Sequence, residues 1–342
     1  MKVLLVNQWA EGSKPHEITE SIQKLAPDTL IYYGASEART PEHLYSLPEK
    51  EKKLVNSLYK EIFNRGIKVY YITGGEIFLP YYGDKSTFVG GLPNCTIVSN
   101  PMYFLRQTYE TLVSQGGKEL ELLNTSKPVY EYNRLYVSLN NLAHTHRQIL
   151  MDCLTKNHAL NHGHISWLNR GNYDCNFKHY NGEIRILDDP FKEHMNNMWR
   201  PPYHYFKTPV NIVSESDDFI PFYTEKTWLT IAFSKLFIIQ GAVGINSGLV
   251  NYGFKIFDNI IDYSFDFITD IERRTDALTK EVKKLEKFSY NQIAQLTEDV
   301  REHNRKRLIE IAQNRLYEPS MIKWINDLPL SSFVTEKPIF NF

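Results

Sequence analysis

The residues best suited to chemistry lie in one stretch, Ser214-Glu215-Ser216-Asp217-Asp218-Phe219 followed by Tyr223-Thr224-Glu225-Lys226-Thr227-Trp228. The run Val210-Asn211-Ile212-Val213 precedes it, and Leu229-Thr230-Ile231-Ala232 and Phe237-Ile238-Ile239 follow. That order reads as strand, polar loop, helix and strand. In open α/β sheets ligands sit beyond the carboxyl ends of strands, and free N–H groups at a helix start favour phosphate. Thr224, Glu225, Lys226 and Thr227 fall where such a pocket would open. A carboxylate such as Glu225 can accept both hydroxyl protons of a ribose, and Lys226 can neutralise a diphosphate as charge develops on it. The spacing also fits a plainer account, with Thr224 as N-cap, Glu225 answering the helix dipole and Lys226 in solvent.

A second stretch, Arg134-Leu135-Tyr136-Val137-Ser138-Leu139-Asn140-Asn141 running to His144-Thr145-His146-Arg147, again ends a strand in polar residues before a helix. Arg147 falls in the first helical turn, where a cation is unfavourable unless an anion is bound. A guanidinium there can grip a phosphate through two hydrogen bonds, or pair with a neighbouring carboxylate. His146 beside it is a further candidate phosphate contact. Histidines recur at His158, His162 and His164 without a cysteine pair or an HExxH spacing, so zinc is not expected. Asp188-Asp189 follow a run, 183–187, that reads as a strand, and adjacent side chains on a strand point to opposite faces. No metal site is assigned.

The elements that must position these groups alternate. Short β-branched runs at 3–6, 29–33, 67–72 and 96–99 are separated by amphipathic stretches at 17–25 and 41–64, and 102–113 follows the last of them. Gly66 closes the long helical stretch, and Pro41 and Pro101 stand near helix starts. Polar and turn-prone residues at 115–128 form a candidate linker. The alternation then resumes, with strands at 134–139, 165–168, 210–214 and 236–240, and helices at 146–157, 225–234 and 246–252. From Phe265 onward the chain reads as helix almost to its end, of the kind that packs back across a two-domain enzyme. No GxGxxG or GxxxxGK[ST] loop occurs, which weakens dehydrogenase and NTPase readings.

A chain of 342 residues exceeds one ordinary core and fits two domains. The 42% hydrophobic and 23% charged fractions are those of a globular protein, and a formal charge of -1 provides no global attraction to nucleic acid or anionic lipid. Three cysteines without metal-type spacing suggest reduced thiols. The opening residues hold no signal-peptide core, and no stretch reaches the roughly 18 apolar residues of a membrane span. A cytoplasmic protein is expected, in the host cytoplasm if the source is viral.

Both stretches resemble a family of glycosyltransferase-like proteins of phages and large viruses, itself distantly similar to the fucosyltransferase C-terminal domain. Its pattern, FLSLN…HR…LL and then SE…FxTEKTWKPIA…PFIIVG…GF, is matched by Val137-Ser138-Leu139-Asn140, His146-Arg147, Leu150, Ser214-Glu215, Phe222, Thr224-Glu225-Lys226-Thr227-Trp228, Ile231-Ala232, Phe237-Ile238-Ile239 and Gly253-Phe254. The likeness covers roughly residues 134–275 and leaves the first 128 uncovered. It departs at Asn141, at Leu229-Thr230 and at Ile239-Gln240-Gly241. The resemblance implies a GT-B-like α/β fold, two Rossmann-like domains facing a cleft with C-terminal helices. Residues 1–128 would be the acceptor domain and 129–342 the nucleotide-sugar-binding domain. It also implies donor-binding roles for Ser138, Asn140, His146, Arg147, Ser214, Glu215, Thr224, Glu225, Lys226 and Thr227. The nucleotide-sugar is a co-substrate; no further cofactor is required and a divalent metal is not expected.

Inverting transfer needs a base for the acceptor hydroxyl, and the N-terminal half must supply it. Glu11 and His16 follow the first strand, and Glu76 follows Gly74-Gly75. Retaining enzymes of this architecture often pair two glutamates about eight positions apart, but Ala232 and Phe233 stand at that distance from Glu225. Inversion is favoured. A hydroxymethylated base in phage DNA is one expected acceptor, and a glycan or lipid-linked sugar in surface polysaccharide synthesis is the alternative. A non-catalytic nucleotide-binding scaffold and a sugar-nucleotide hydrolase or epimerase are the competing classes.

Overall fold

A computed structural model describes the chain apart from residues 8–14, 34–48, 74–94, 116–130, 171–179, 181, 188–202, 217, 219–220 and 334–342. It is a mixed α/β structure with two parallel sheets, as the alternation of elements implies. One compact unit comprises Met1–Tyr103 with Tyr317–Phe342, and the other Phe104–Leu316. The units therefore divide at other positions than residue 128, and the chain's closing stretch belongs to the first of them. The anticipated linker lies almost wholly outside the described residues.

In the first unit β1 (Val3–Asn7), α1 (Pro15–Leu25), β2 (Thr29–Tyr33), α2 (Glu49–Asn64), β3 (Lys68–Thr73) and β4 (Cys95–Ser99) build a sheet of order β1-β2-β3-β4. All strands are parallel, with Leu5 beside Ile31 and Ile31 beside Tyr70. Consecutive parallel strands joined by right-handed crossovers send their helices to one face. On that face Leu4, Val6, Leu30 and Val69 pack on Ile18 and Ile22 of α1 and Leu58 and Ile62 of α2. The opposite face presents Val3, Leu5, Ile31 and Ile72, and it is closed by Ile322 and Ile325 of the helix Ser320–Asp327. Phe333 adds a parallel bridge to Val3. Gly66 ends α2 in a left-handed conformation, φ 61°. Its N–H bonds Phe63 O at 3.1 Å and that of Ile67 bonds Ile62 O at 3.1 Å, so the turn into β3 also buries Ile62 and Ile67 together.

The second unit opens on α3 (Tyr103–Gln115), whose first residue still belongs to the first unit. It continues through β5 (Tyr136–Leu142), α4 (Thr145–Lys156), β6 (Gly163–Arg170), β7 (Val210–Ser214), α5 (Glu225–Ala232), β8 (Leu236–Gln240) and the short α6 (Ile245–Gly248). Helices α7 (Ile271–Lys284), α8 (Tyr290–Leu296) and α9 (Glu298–Asn314) complete it. The helical stretch expected from Phe265 is thus several helices broken by turns. Strand order is β6-β5-β7-β8, all parallel. The path from β5 through α4 to β6 runs one way along the sheet, and that from β7 through α5 to β8 runs the other. Between β5 and β7 lies a topological switch point, the place where open α/β sheets form a ligand crevice. Helices α4 and α7 pack together on one face, and α5 packs against α9 on the other.

The strand expected at 183–187 does not form. Arg185 makes one antiparallel bridge to Trp167, with N–O distances of 2.9 and 2.8 Å, and no ladder follows. Ile184 and Ile186 are 61% and 64% exposed, so the apolar alternation that suggested a strand has no buried face to hold it. Asp188-Asp189 lie outside the described residues.

Candidate functional site

The carboxyl ends of β5 and β7 flank the switch point, and the amino ends of α4 and α5 rise from it. Thr224 is the N-cap of α5 and its hydroxyl accepts from Lys226 N at 3.4 Å. The Glu215 carboxylate, fully buried just past β7, gathers this helix start. Its Oε1 accepts from Thr224 N at 3.0 Å and Thr227 Oγ1 at 2.6 Å, and its Oε2 accepts from Thr224 Oγ1 at 2.5 Å and Lys226 Nζ at 3.3 Å. Lys226 Nζ also donates to Ser216 Oγ and Thr224 Oγ1, each at 2.9 Å. One carboxylate thus holds the place at the α5 N-terminus where an external anion would otherwise sit. Lys226 remains one-quarter exposed.

The opposite wall is tied to the same residue. His146 Nε2 donates to Glu215 O at 2.9 Å, which fixes the Nε2–H tautomer because a carbonyl can only accept. Its Nδ1 lies 3.9 Å from Asp218 Oδ1. Arg147 donates to Leu142 O at 3.2 Å and Glu215 O at 3.3 Å. Glu215 is therefore a joint, its carbonyl holding the α4 side and its carboxylate the α5 side. His144, at the N-cap position of α4, stacks on His146 with centroids 5.6 Å apart and planes 5° from parallel.

The site's charge shows in these imidazoles. Burial pushes His144 down to about 4, and the Arg147 guanidinium and Lys226 ammonium add to the effect. Burial, followed by Arg147 and His144, holds His146 well below its ordinary value, against the opposing hydrogen bond to Glu215 O. Free histidine takes up its proton near 6.5, so between that pH and about 4 the unfolded chain binds more protons than the folded one. Stability must fall as pH drops through this window. Melting temperatures recorded from pH 7.5 to 4 are expected to decline most steeply there, with a shallower decline in His144→Gln. An equal slope in that variant would show that His144 does not carry the effect.

The structure places nine of the ten expected donor-binding residues toward the carboxyl ends of β5 and β7 or at the starts of α4 and α5, though not all at a surface, while Ser138 lies within β5. Ser138, Asn140, Ser214, Glu215 and Thr227 are at most 1% exposed. Ser138 Oγ accepts from Asn140 Nδ2 at 3.2 Å, and Ser214 Oγ donates to Gln240 Oε1 at 2.7 Å. Glu225 is nearly buried, yet its carboxylate makes no hydrogen bond among the described residues; its nearest cation is Lys226 Nζ at 3.9 Å. His16 is exposed in the first turn of α1, and Glu11 and Glu76 lie outside the described residues. The remaining histidines are dispersed in their work: His162 faces Glu286 at 3.3 Å and His164 bonds Asn133 at 2.8 Å. No group of three metal-ligating side chains occurs among the described residues, and no described helix is long and apolar enough to cross a membrane. Ser216 and His144 lie inside the two stretches singled out from the sequence but have no role assigned there, and Gln240 enters there only as a departure from the family pattern. The signal for Gln240 is its place as a polar residue ending the apolar strand Leu236–Gln240.

No family model, curated protein or solved structure matches the chain.

Proposed function

We propose that the protein is a nucleotide-sugar-dependent glycosyltransferase of GT-B type whose second unit binds the donor at the switch point between β5 and β7. The observation that carries this reading is the meeting, through Glu215, of two cation-bearing helix starts at that place, with the Glu225 carboxylate beside them accepting no hydrogen bond among the described residues. Glu225 would accept the ribose hydroxyls. Lys226 and Arg147 would face the diphosphate: Arg147 is held by two backbone carbonyls that a phosphate can replace, and Lys226 by two hydroxyls and the Glu215 carboxylate, of which a phosphate can replace the hydroxyls. In the transfer step the acceptor oxygen bonds the anomeric carbon as the bond to the diphosphate oxygen breaks. The electron pair leaves on that phosphate oxygen, where the two cations stabilise it. The acceptor proton passes to a base, for which Glu11, His16 and Glu76 are the candidates, with inversion at the sugar. A hydroxymethylated DNA base is the first acceptor to test, then a glycan or a lipid-linked sugar.

A non-catalytic nucleotide-binding scaffold is the second reading, favoured by the engagement of Lys226 with Glu215, Ser216 and Thr224. A melting-temperature screen against UDP-, GDP-, CMP- and TDP-sugars and their bare nucleotides separates the cases, because a ligand at 100 times its Kd stabilises by about 2.7 kcal/mol. One nucleotide-sugar class is expected to shift the transition by several degrees and to be hydrolysed slowly without acceptor. Binding without turnover supports the scaffold, and no shift across the panel in folded protein refutes the donor site.

A further inference from the structure

We infer that Gln240 is a positioning residue of the donor site, fixing the first turn of α4, and with it Arg147, against the carboxyl ends of β7 and β8. The inference rests on the donor reading above. Gln240 is the last residue of β8, 2% exposed, and pairs in register with Ser214. Its side-chain Nε2 donates to His146 O at 2.7 Å and reaches Thr275 Oγ1 of α7 at 3.5 Å, while its Oε1 accepts from Ser214 Oγ at 2.7 Å. Its main-chain carbonyl accepts from Glu215 N at 3.0 Å. One residue thus holds the helix that carries Arg147 and the backbone of the residue whose carbonyl receives Arg147.

Two features make that hold consequential. Helix α4 has no side-chain cap at His144, so its first turn depends on ties from elsewhere, of which Gln240 and the bond from Gln148 Nε2 to Ala143 O at 2.8 Å are two. The position of Gln240 is itself anchored, since Arg274 of α7 donates to Gly241 O at 2.9 Å. An apolar residue would fill the same interior space without the desolvation cost of a buried amide. The amide's distinct contribution is orientation: a guanidinium held in place before an anion arrives loses less freedom on binding it.

The test is a double-mutant cycle, read by calorimetric titration with whichever nucleotide-sugar shifts the melting temperature most in the panel above. Gln240→Leu is expected to weaken binding about tenfold in the wild-type background and in Lys226→Ala, but less than twofold in Arg147→Ala. A residue that merely supports the fold would cost the same factor in all three backgrounds, and that result overturns the inference, as does unchanged affinity in Gln240→Leu. Should Gln240→Leu fail to fold, Gln240→Glu enters the same cycle with the same criterion, because it retains an acceptor for Ser214 and turns an oxygen toward His146 O. Absence of any nucleotide-sugar binding by the folded wild type removes the donor reading and this inference together; binding indifferent to Gln240 removes the inference alone.

Discussion

Glu215→Ala is expected to lower the stability of the second unit by about 3 kcal/mol or more and to abolish donor binding, although the carboxylate itself faces inward. It is wholly buried and accepts from one backbone N–H, two threonine hydroxyls and one ammonium. A hydrogen bond to a charged group contributes about 1.5–3 kcal/mol, and donors left buried without an acceptor add a desolvation cost. Several such bonds fail together here, and with them the start of α5. Urea denaturation followed by circular dichroism measures the loss, and Glu215→Gln, which keeps the shape, separates charge from packing. A loss below about 1 kcal/mol would show that water substitutes for the carboxylate and that the joint between α4 and α5 is weaker than the geometry implies.

Lys226→Ala carries the larger consequence for chemistry. Removing one preorganised group that faces developing charge typically costs about 10²–10³ in turnover. A fall of that size in donor hydrolysis and in sugar transfer is expected, with weakened donor binding. The melting temperature should drop less than in Glu215→Ala, because Lys226 is one-quarter exposed and Glu215 keeps its bonds from Thr224 and Thr227. Arg147→Lys tests the other wall: it keeps the charge and loses the planar fork that spans Leu142 O and Glu215 O. Unchanged turnover in Lys226→Ala would make Lys226 part of the helix cap and place the donor elsewhere.

What could be read in advance divides by the range of the interaction. The strands Thr29–Tyr33, Val210–Ser214 and Leu236–Gln240 have the expected bounds because each is a short apolar run between polar turns. Thr224 caps α5 as a local rule requires. Strand order was not legible, since a right-handed crossover fixes handedness and not which neighbour a later strand selects; β7 beside β5 makes the switch point, and nothing near residue 210 announces it. The inward turn of Glu215 was hidden likewise: its partners lie nine to twelve residues on, across a polar loop that could as well have been solvated. Gln240 meets His146 at a separation of 94 residues. At 183–187 the local pattern was present and the packing that would have used it was not.

The helix Ser320–Asp327 closes the far face of the first sheet with Ile322 and Ile325, and this sets an order on synthesis. The four strands of that sheet are translated before this helix, and residues 104–316 come between them, an interval on the order of ten seconds or more at typical elongation rates. During it Val3, Leu5, Ile31 and Ile72 lack their contacts with Ile322 and Ile325, leaving apolar surface that a nascent-chain chaperone can occupy. A gene fragment ending at residue 103 would encode the same unfinished layer permanently. Joining 317–342 to that fragment by a flexible linker restores Ile322 and Ile325 to the sheet.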